Sequence, residues 1–139
     1  MSFLIDTNVL SELRKRERCS RAVWIWYEGT PVEKLFLSVL VLGKIRRGVE
    51  IRLLKDPSSG LVFEKWLDEV KIFYAARILP VTVEICDVWG RLSLHAPLPH
   101  VDGLLAATAI VHDLTLVTRN IADVKRSGAR CLDPFIPQT

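Results

Sequence analysis

Apolar residues recur along the chain in short uninterrupted runs, separated by longer stretches with helical spacing. The runs at Phe3–Ile5, Leu35–Leu37, Ile78–Val81, Thr115–Thr118 and Arg130–Leu132 have the length of buried strands. Between them, apolar positions three and four apart predict helices over Ser38–Lys55, Gly60–Glu69, Thr82–Leu94 and Val101–His112, the first opened by Ser38 as an N-cap. Pro57–Gly60 and Ala96–Pro99 read as the firmest breaks. Strands joined by helices of this length require right-handed crossovers. The expected architecture is therefore α/β, a three-layer fold with a mostly parallel central sheet and helices on both faces. No repeat, low-complexity tract or linker divides the chain, so residues 1–139 read as one domain.

Composition narrows the class. The balance of 19 Lys and Arg against 16 Asp and Glu is mildly basic, which tolerates a polyanionic partner without establishing one. No apolar run reaches membrane-spanning length, and Met1 leads directly into Phe3–Ile5 and an aspartate rather than a secretory leader. Cys19, Cys86 and Cys131 are odd in number and form no CxxC pair, as expected of reduced thiols packed inside a cytoplasmic protein.

Parallel sheets bind ligands beyond the carboxyl ends of their strands. The polar residues there are Asp6, Thr7 and Asn8 after the first strand, Ser38 after the second, and Thr118, Arg119 and Asn120, with Asp123, after the fourth. Asp102 opens a helix behind Pro97-Leu98-Pro99-His100. Singly, each acid has an ordinary explanation: Asp6 and Asp102 as helix N-caps, Asp123 as a solvated loop residue. Jointly, carboxylates converging at one sheet edge repel, and a hard cation such as Mg²⁺ is the usual means of holding them together. Such cations activate water and steady the leaving oxygen in phosphodiester cleavage. Nucleotide-binding and phosphoryl-transfer readings fare worse. The chain lacks GxGxxG and GxxxxGKS/T, and Asp6-Thr7-Asn8 lacks the second aspartate of an aspartyl-phosphate loop. His95, His100 and His112 are not spaced as a zinc set, and His112 suits a helix C-terminus.

Four segments carry a family resemblance in chain order: Ile5-Asp6-Thr7-Asn8-Val9-Leu10, the run from Ser38 to Gly48, Asp102-Gly103-Leu104-Leu105-Ala106-Ala107-Thr108-Ala109, and Val117-Thr118-Arg119-Asn120. Together they resemble the signature segments of PIN domains, the nearest group being VapC-type toxins of bacterial toxin–antitoxin pairs. The resemblance implies a Mg²⁺-dependent endoribonuclease, with Mn²⁺ able to substitute, a VapB-type antitoxin partner and a homodimer. It assigns Asp6 and Asp102 to the metal-binding acids and puts Asn120 at the fourth polar position, with Asp123 close enough to assist. Thr118 lines the site in this reading, along with Asn8, Ser38 and Arg119. The second acid, a glutamate in the family, falls on Lys44.

Lys44 is odd on the helical wheel as well. At 100° per residue it falls among Leu40, Val41, Gly48 and Ile51, whereas Arg46, Arg47 and Glu50 share another arc. A charge in an apolar arc needs water, a partner or a site, and a snorkelling lysine at the edge of the stripe is the ordinary alternative. Exchanging Glu for Lys changes the local charge by two units, so an ammonium competes with any cation for Asp6 and Asp102. Two readings follow: a toxin ribonuclease weakened or inactivated by Lys44, and a catalytically dead PIN module that still dimerises and binds antitoxin or RNA. Arg14, Arg46, Arg47 and Arg119 are candidates for steering RNA through its phosphates, with plain solvation as the alternative. The aromatic stretch containing Trp24, Trp26 and Tyr27 reads mainly as core, with part of it lining a groove for a partner helix.

Overall fold

The computed structural model describes residues 1–138. Five strands, β1 (Phe3–Ile5), β2 (Leu35–Ser38), β3 (Ile78–Leu79), β4 (Thr115–Val117) and β5 (Cys131–Leu132), form one sheet in the order β3-β2-β1-β4-β5. Every pairing is parallel, as the alternation of strands and helices requires. The helices are α1 (Thr7–Leu13), α2 (Arg21–Glu28), α3 (Val39–Lys55), α4 (Pro57–Phe73), α5 (Val83–His95), α6 (His100–Val111) and α7 (Ile121–Lys125).

From β1 the chain steps outward to β2 and β3, then crosses back to β4 and on to β5. Because such crossovers are right-handed, the reversal puts α1 to α4 on one face and α5 to α7 on the other. The packing agrees: α3 lies against α4 and α1, α1 against α2, α5 against α6, and α6 against α7. With both faces covered, β1 and β4 are buried at every position. Leu4, Ile5, Leu35, Leu37 and Val117 have no accessible surface and form the centre of the core.

Helix starts follow local chemistry. The Ser38 hydroxyl oxygen accepts the Leu40 N–H at 3.0 Å, and Thr82 accepts the Ile85 N–H at 3.2 Å. The break expected at Pro57–Gly60 falls just before it, at Asp56, between α3 and α4. Asp56 caps α4 through the Ser59 N–H at 3.4 Å, and Pro57 takes a first-turn position, where its missing N–H costs nothing. Gly60 is a contact residue rather than a breaker, since a Cβ there would meet the Leu53 backbone nitrogen at 2.7 Å where α4 turns back along α3.

The helix carrying Asp102 also starts earlier than expected. Pro99 is its N-cap, so Asp102 lies in the first turn of α6 and does not cap it. Gly103 lets α6 approach α5, because a Cβ there would meet Trp89 Cδ1 at 2.9 Å. The expected burial of all three cysteines needs one correction: Cys86 is exposed on α5, while Cys19 and Cys131 are half-buried and all three are free. Among the described residues no helix is long and apolar enough to cross a membrane.

Candidate active site

Strand order reverses between β1 and β4, where open parallel sheets leave a crevice. Ile5 pairs with Val117, so the next residues, Asp6 and Thr118, meet just beyond the sheet. Asp6 is buried, and both carboxylate oxygens are held: Oδ1 accepts the Thr7 N–H at 2.7 Å, and Oδ2 accepts the Thr118 hydroxyl at 2.8 Å. Asp6 therefore caps α1 and faces the crevice at once. The Thr118 oxygen also accepts the Asn120 N–H at 3.1 Å and, at 3.4 Å, the Asn8 side-chain amide. Asn8 Oδ1 accepts the Arg119 N–H at 3.3 Å. These bonds tie the two loops into one floor that orients Asp6.

Helices α3 and α6 bring up the other charges. Val41, Ile45 and Val49 form the buried row of α3, and Lys44 stands beside that row, turned towards the acids. Ile51, expected in the same apolar arc, is exposed. Lys44 Nζ lies 4.0 Å from Asp6 Oδ1 and 3.7 Å from Asp102 Oδ1. These distances exceed hydrogen-bond length but leave the ammonium in ion-pair contact with both carboxylates. The Lys44 side chain is 38% exposed, so water enters from one side of this arrangement.

Other candidates fall elsewhere. Asp123 is exposed on α7, and among the described residues no three Asp, Glu, His or Cys side chains gather as a metal cage. Ser38 has no accessible surface and its hydroxyl caps α3, so it does not line the crevice. Thr118 is equally buried and reaches the site only through Asp6. Asn120 is exposed at the start of α7, with no side-chain cap bond. Arg119 covers the Phe135 ring at 4.2 Å, and Arg46 is engaged by Glu64 at 2.8 Å and Glu50 at 3.3 Å.

A divalent metal, as the sequence resemblance implies, is a poor fit to this set. Two carboxylates share the crevice, and an ammonium lies within 4.0 Å of both. An ion brought there meets like charge and too few oxygen ligands.

On the α1–α4 face, Trp24 and Tyr27 line a groove of about 530 Å³ with Leu13, Trp66, Phe73 and Tyr74. Trp26 does not belong to it. It is buried edge-on against Phe3, ring centroids 5.5 Å apart. The α4 contribution was not legible as a groove, because exposed Phe73 reads like any helix-end aromatic. Burial pushes the phenols of Tyr27 and Tyr74 up from their ordinary value. For Tyr74 the sign is clear. Its contribution is intact below about pH 10, and above that the unfolded chain loses a phenol proton that the fold retains. Stability should then fall by up to about 1.4 kcal/mol per pH unit. Thermal melts between pH 9 and 11 should show this decline, flattened in Tyr74→Phe.

A parallel α/β sheet carrying fixed acids at its switch point defines a class of site, and whole-chain comparison defines the family. A PIN domain model matches residues 3–125. The chain belongs to the PIN-domain family, and its similarity within that family is to VapC-type toxins. It is 29% identical over 140 residues to VapC ribonuclease Y4jK of Sinorhizobium fredii, covering 96% of this chain and 98% of the relative. It is 27% identical over 137 residues to Toxin FitB of Neisseria gonorrhoeae, covering 95% and 97%. The crystal structure of FitAcB from Neisseria gonorrhoeae superposes with a TM-score of 0.86 at 27% identity, over 96% of this chain and 98% of that one.

Proposed function

We propose that this chain is the toxin of a VapC-type toxin–antitoxin pair, built to act on RNA, whose cleavage activity is suppressed by its own Lys44. The observation that carries the reading is the Lys44 ammonium between Asp6 and Asp102. Relatives named as VapC ribonucleases supply the reaction class, cleavage of RNA. In this chain the residues that should set up that reaction hold one another instead. Asp6 is oriented by Thr7 and Thr118, and its charge and that of Asp102 are answered by Lys44.

The groove lined by Trp24, Tyr27 and Trp66 includes none of Asp6, Lys44 and Asp102, and it offers aromatic surface to an apolar helix of a VapB-type antitoxin. The chain then works as a cytoplasmic, homodimeric, antitoxin-binding PIN module whose RNA surface remains. Isothermal titration of the unaltered protein with Mg²⁺ and with Mn²⁺ tests the central point. The expected result is no saturable heat at millimolar metal, and clear stoichiometric binding would overturn the proposal.

A further inference from the structure

Between α1, α3 and α4, alongside the crevice, lies a second pocket of about 360 Å³. Asn8 and Lys44 line the end nearest the acids, and Arg14, Arg52, Phe63 and Trp66 line the rest. Two guanidinium groups converge on one ring there. Arg52 Cζ lies 3.7 Å and Arg14 Cζ 4.2 Å from the centroid of Phe63. Stacking on an aromatic face holds a guanidinium in place while leaving its in-plane N–H groups free for an anion.

What is missing is a counter-charge. Among the described residues neither Arg14 nor Arg52 forms an ion pair with a carboxylate. The Arg14 Nε–H is buried with no protein acceptor in reach, and Arg52 Nη1 reaches only the Gly48 carbonyl at 3.4 Å. Glu12, the one acid lining the pocket, is already engaged by Lys15 Nζ at 3.0 Å and by the Ser20 N–H at 2.7 Å. Burial, and after it the neighbouring charges of Arg52 and Arg18, push the Arg14 guanidinium below its ordinary value. Two like charges held together at a cost, with a buried donor left over, call for an anion with several acceptor oxygens.

We infer that Arg14 and Arg52, seated on Phe63, form a phosphate-binding pocket that grips the RNA strand beside the acidic crevice. Arg14, the C-cap of α1, follows the N-cap Asp6 by eight residues, and on α3 Arg52 follows Lys44 by eight, roughly 12 Å along a helix. That span separates the pocket from the acids by a few nucleotides of a polyanionic strand. A carboxylate on a partner protein would satisfy one guanidinium, whereas a phosphodiester chain supplies a phosphate here and another at the crevice. The inference rests on the RNA-directed reading above.

The test is fluorescence anisotropy of a labelled single-stranded oligouridylate against the full chain over a salt series. Each guanidinium that no longer neutralises a phosphate should, at about 0.1 M salt, weaken binding about fivefold and make the salt slope shallower by about 0.7. Arg14→Gln with Arg52→Gln should therefore bind roughly 25-fold more weakly, again through the phosphate term. Arg14→Lys with Arg52→Lys should keep the slope, and Arg91→Gln, an exposed change on α5, should stay within about twofold. Thermal melts of each variant establish that it is folded. If the unaltered chain binds the oligonucleotide and the double Gln variant binds it equally well, the pocket is not a phosphate seat, even if that variant no longer binds a protein partner. Equal weakening in the Lys and Gln pairs would overturn it as well. If the unaltered chain binds no RNA, the RNA-directed reading fails first, and the pocket fails with it.

Discussion

Replacing Lys44 with glutamate is expected to produce Mg²⁺-dependent RNA cleavage, with almost none expected from the unaltered protein. The substitution removes the ammonium at 4.0 and 3.7 Å from Asp6 and Asp102 and adds a third carboxylate in the same place, a change of two charge units. Three acids with Thr118 still orienting Asp6 make a hard-oxygen site of the kind divalent ions require. Metal assistance contributes several kcal/mol to hydrolysis, so the gain should be on the order of 10³-fold. A second readout separates failure of chemistry from failure of assembly. Without metal, the three carboxylates repel and Lys44→Glu should melt below the parent; with Mg²⁺ its melting temperature should rise while the parent's does not. Full restoration of metal-dependent melting without cleavage would place the defect outside position 44. Absence of both would mean that position 44 is not a ligand position.

Gly60→Ala should be the most damaging small substitution in the fold. Alanine is intrinsically the better helix residue by about 1 kcal/mol, and at an open site it would stabilise. At position 60 the new methyl would lie 2.7 Å from the Leu53 backbone nitrogen and 2.6 Å from its Cδ2. Leu53 Cδ2 can swing aside, but the backbone nitrogen moves only if α3 and α4 separate. Overpacking of this kind costs about 1–3 kcal/mol, and a backbone clash belongs at the upper end, so a net loss of up to about 2 kcal/mol is expected. In a chain of this length that corresponds to a drop of up to roughly 7 °C in Tm. Gly90→Ala is the opposite case. Nothing lies within 4 Å of a Cβ there, so it should raise Tm by a few degrees, on propensity alone. Differential scanning calorimetry of the two variants reads both signs, and equal effects would show that helix propensity rather than helix contact governs Gly60.

The five strands and the helices α3 to α6 were legible because they depend on nearest neighbours, whereas α2 and α7 were not expected from the sequence. Apolar runs mark strands buried on both faces, and Ser38 and Thr82 act as caps through bonds two or three residues away. Where local signals were ambiguous, the outcome turned on distant contacts. Pro57 and Gly60 together look like a break, and they became a helix start and a helix crossing because Asp56 supplied the cap and α3 the opposing surface. Trp24, Trp26 and Tyr27 are alike in sequence, yet the phase of α2 sends Trp26 into the core and the other two into a groove completed by α4.

For the site, local sequence was enough to say which residue types stand past β1 and β4 and on which side of α3 Lys44 projects. Those follow from strand ends and a 100° helical step. It took the folded chain to bring Lys44 to both Asp6 and Asp102, to leave Asp123 apart, to seal Ser38 and Thr118 from solvent, and to make Arg14 and Arg52 meet on Phe63. Each of those depends on the order of strands in the sheet and on how closely α3, α4 and α6 approach. These are distances between segments far apart in the chain, and no local pattern of residues encodes them.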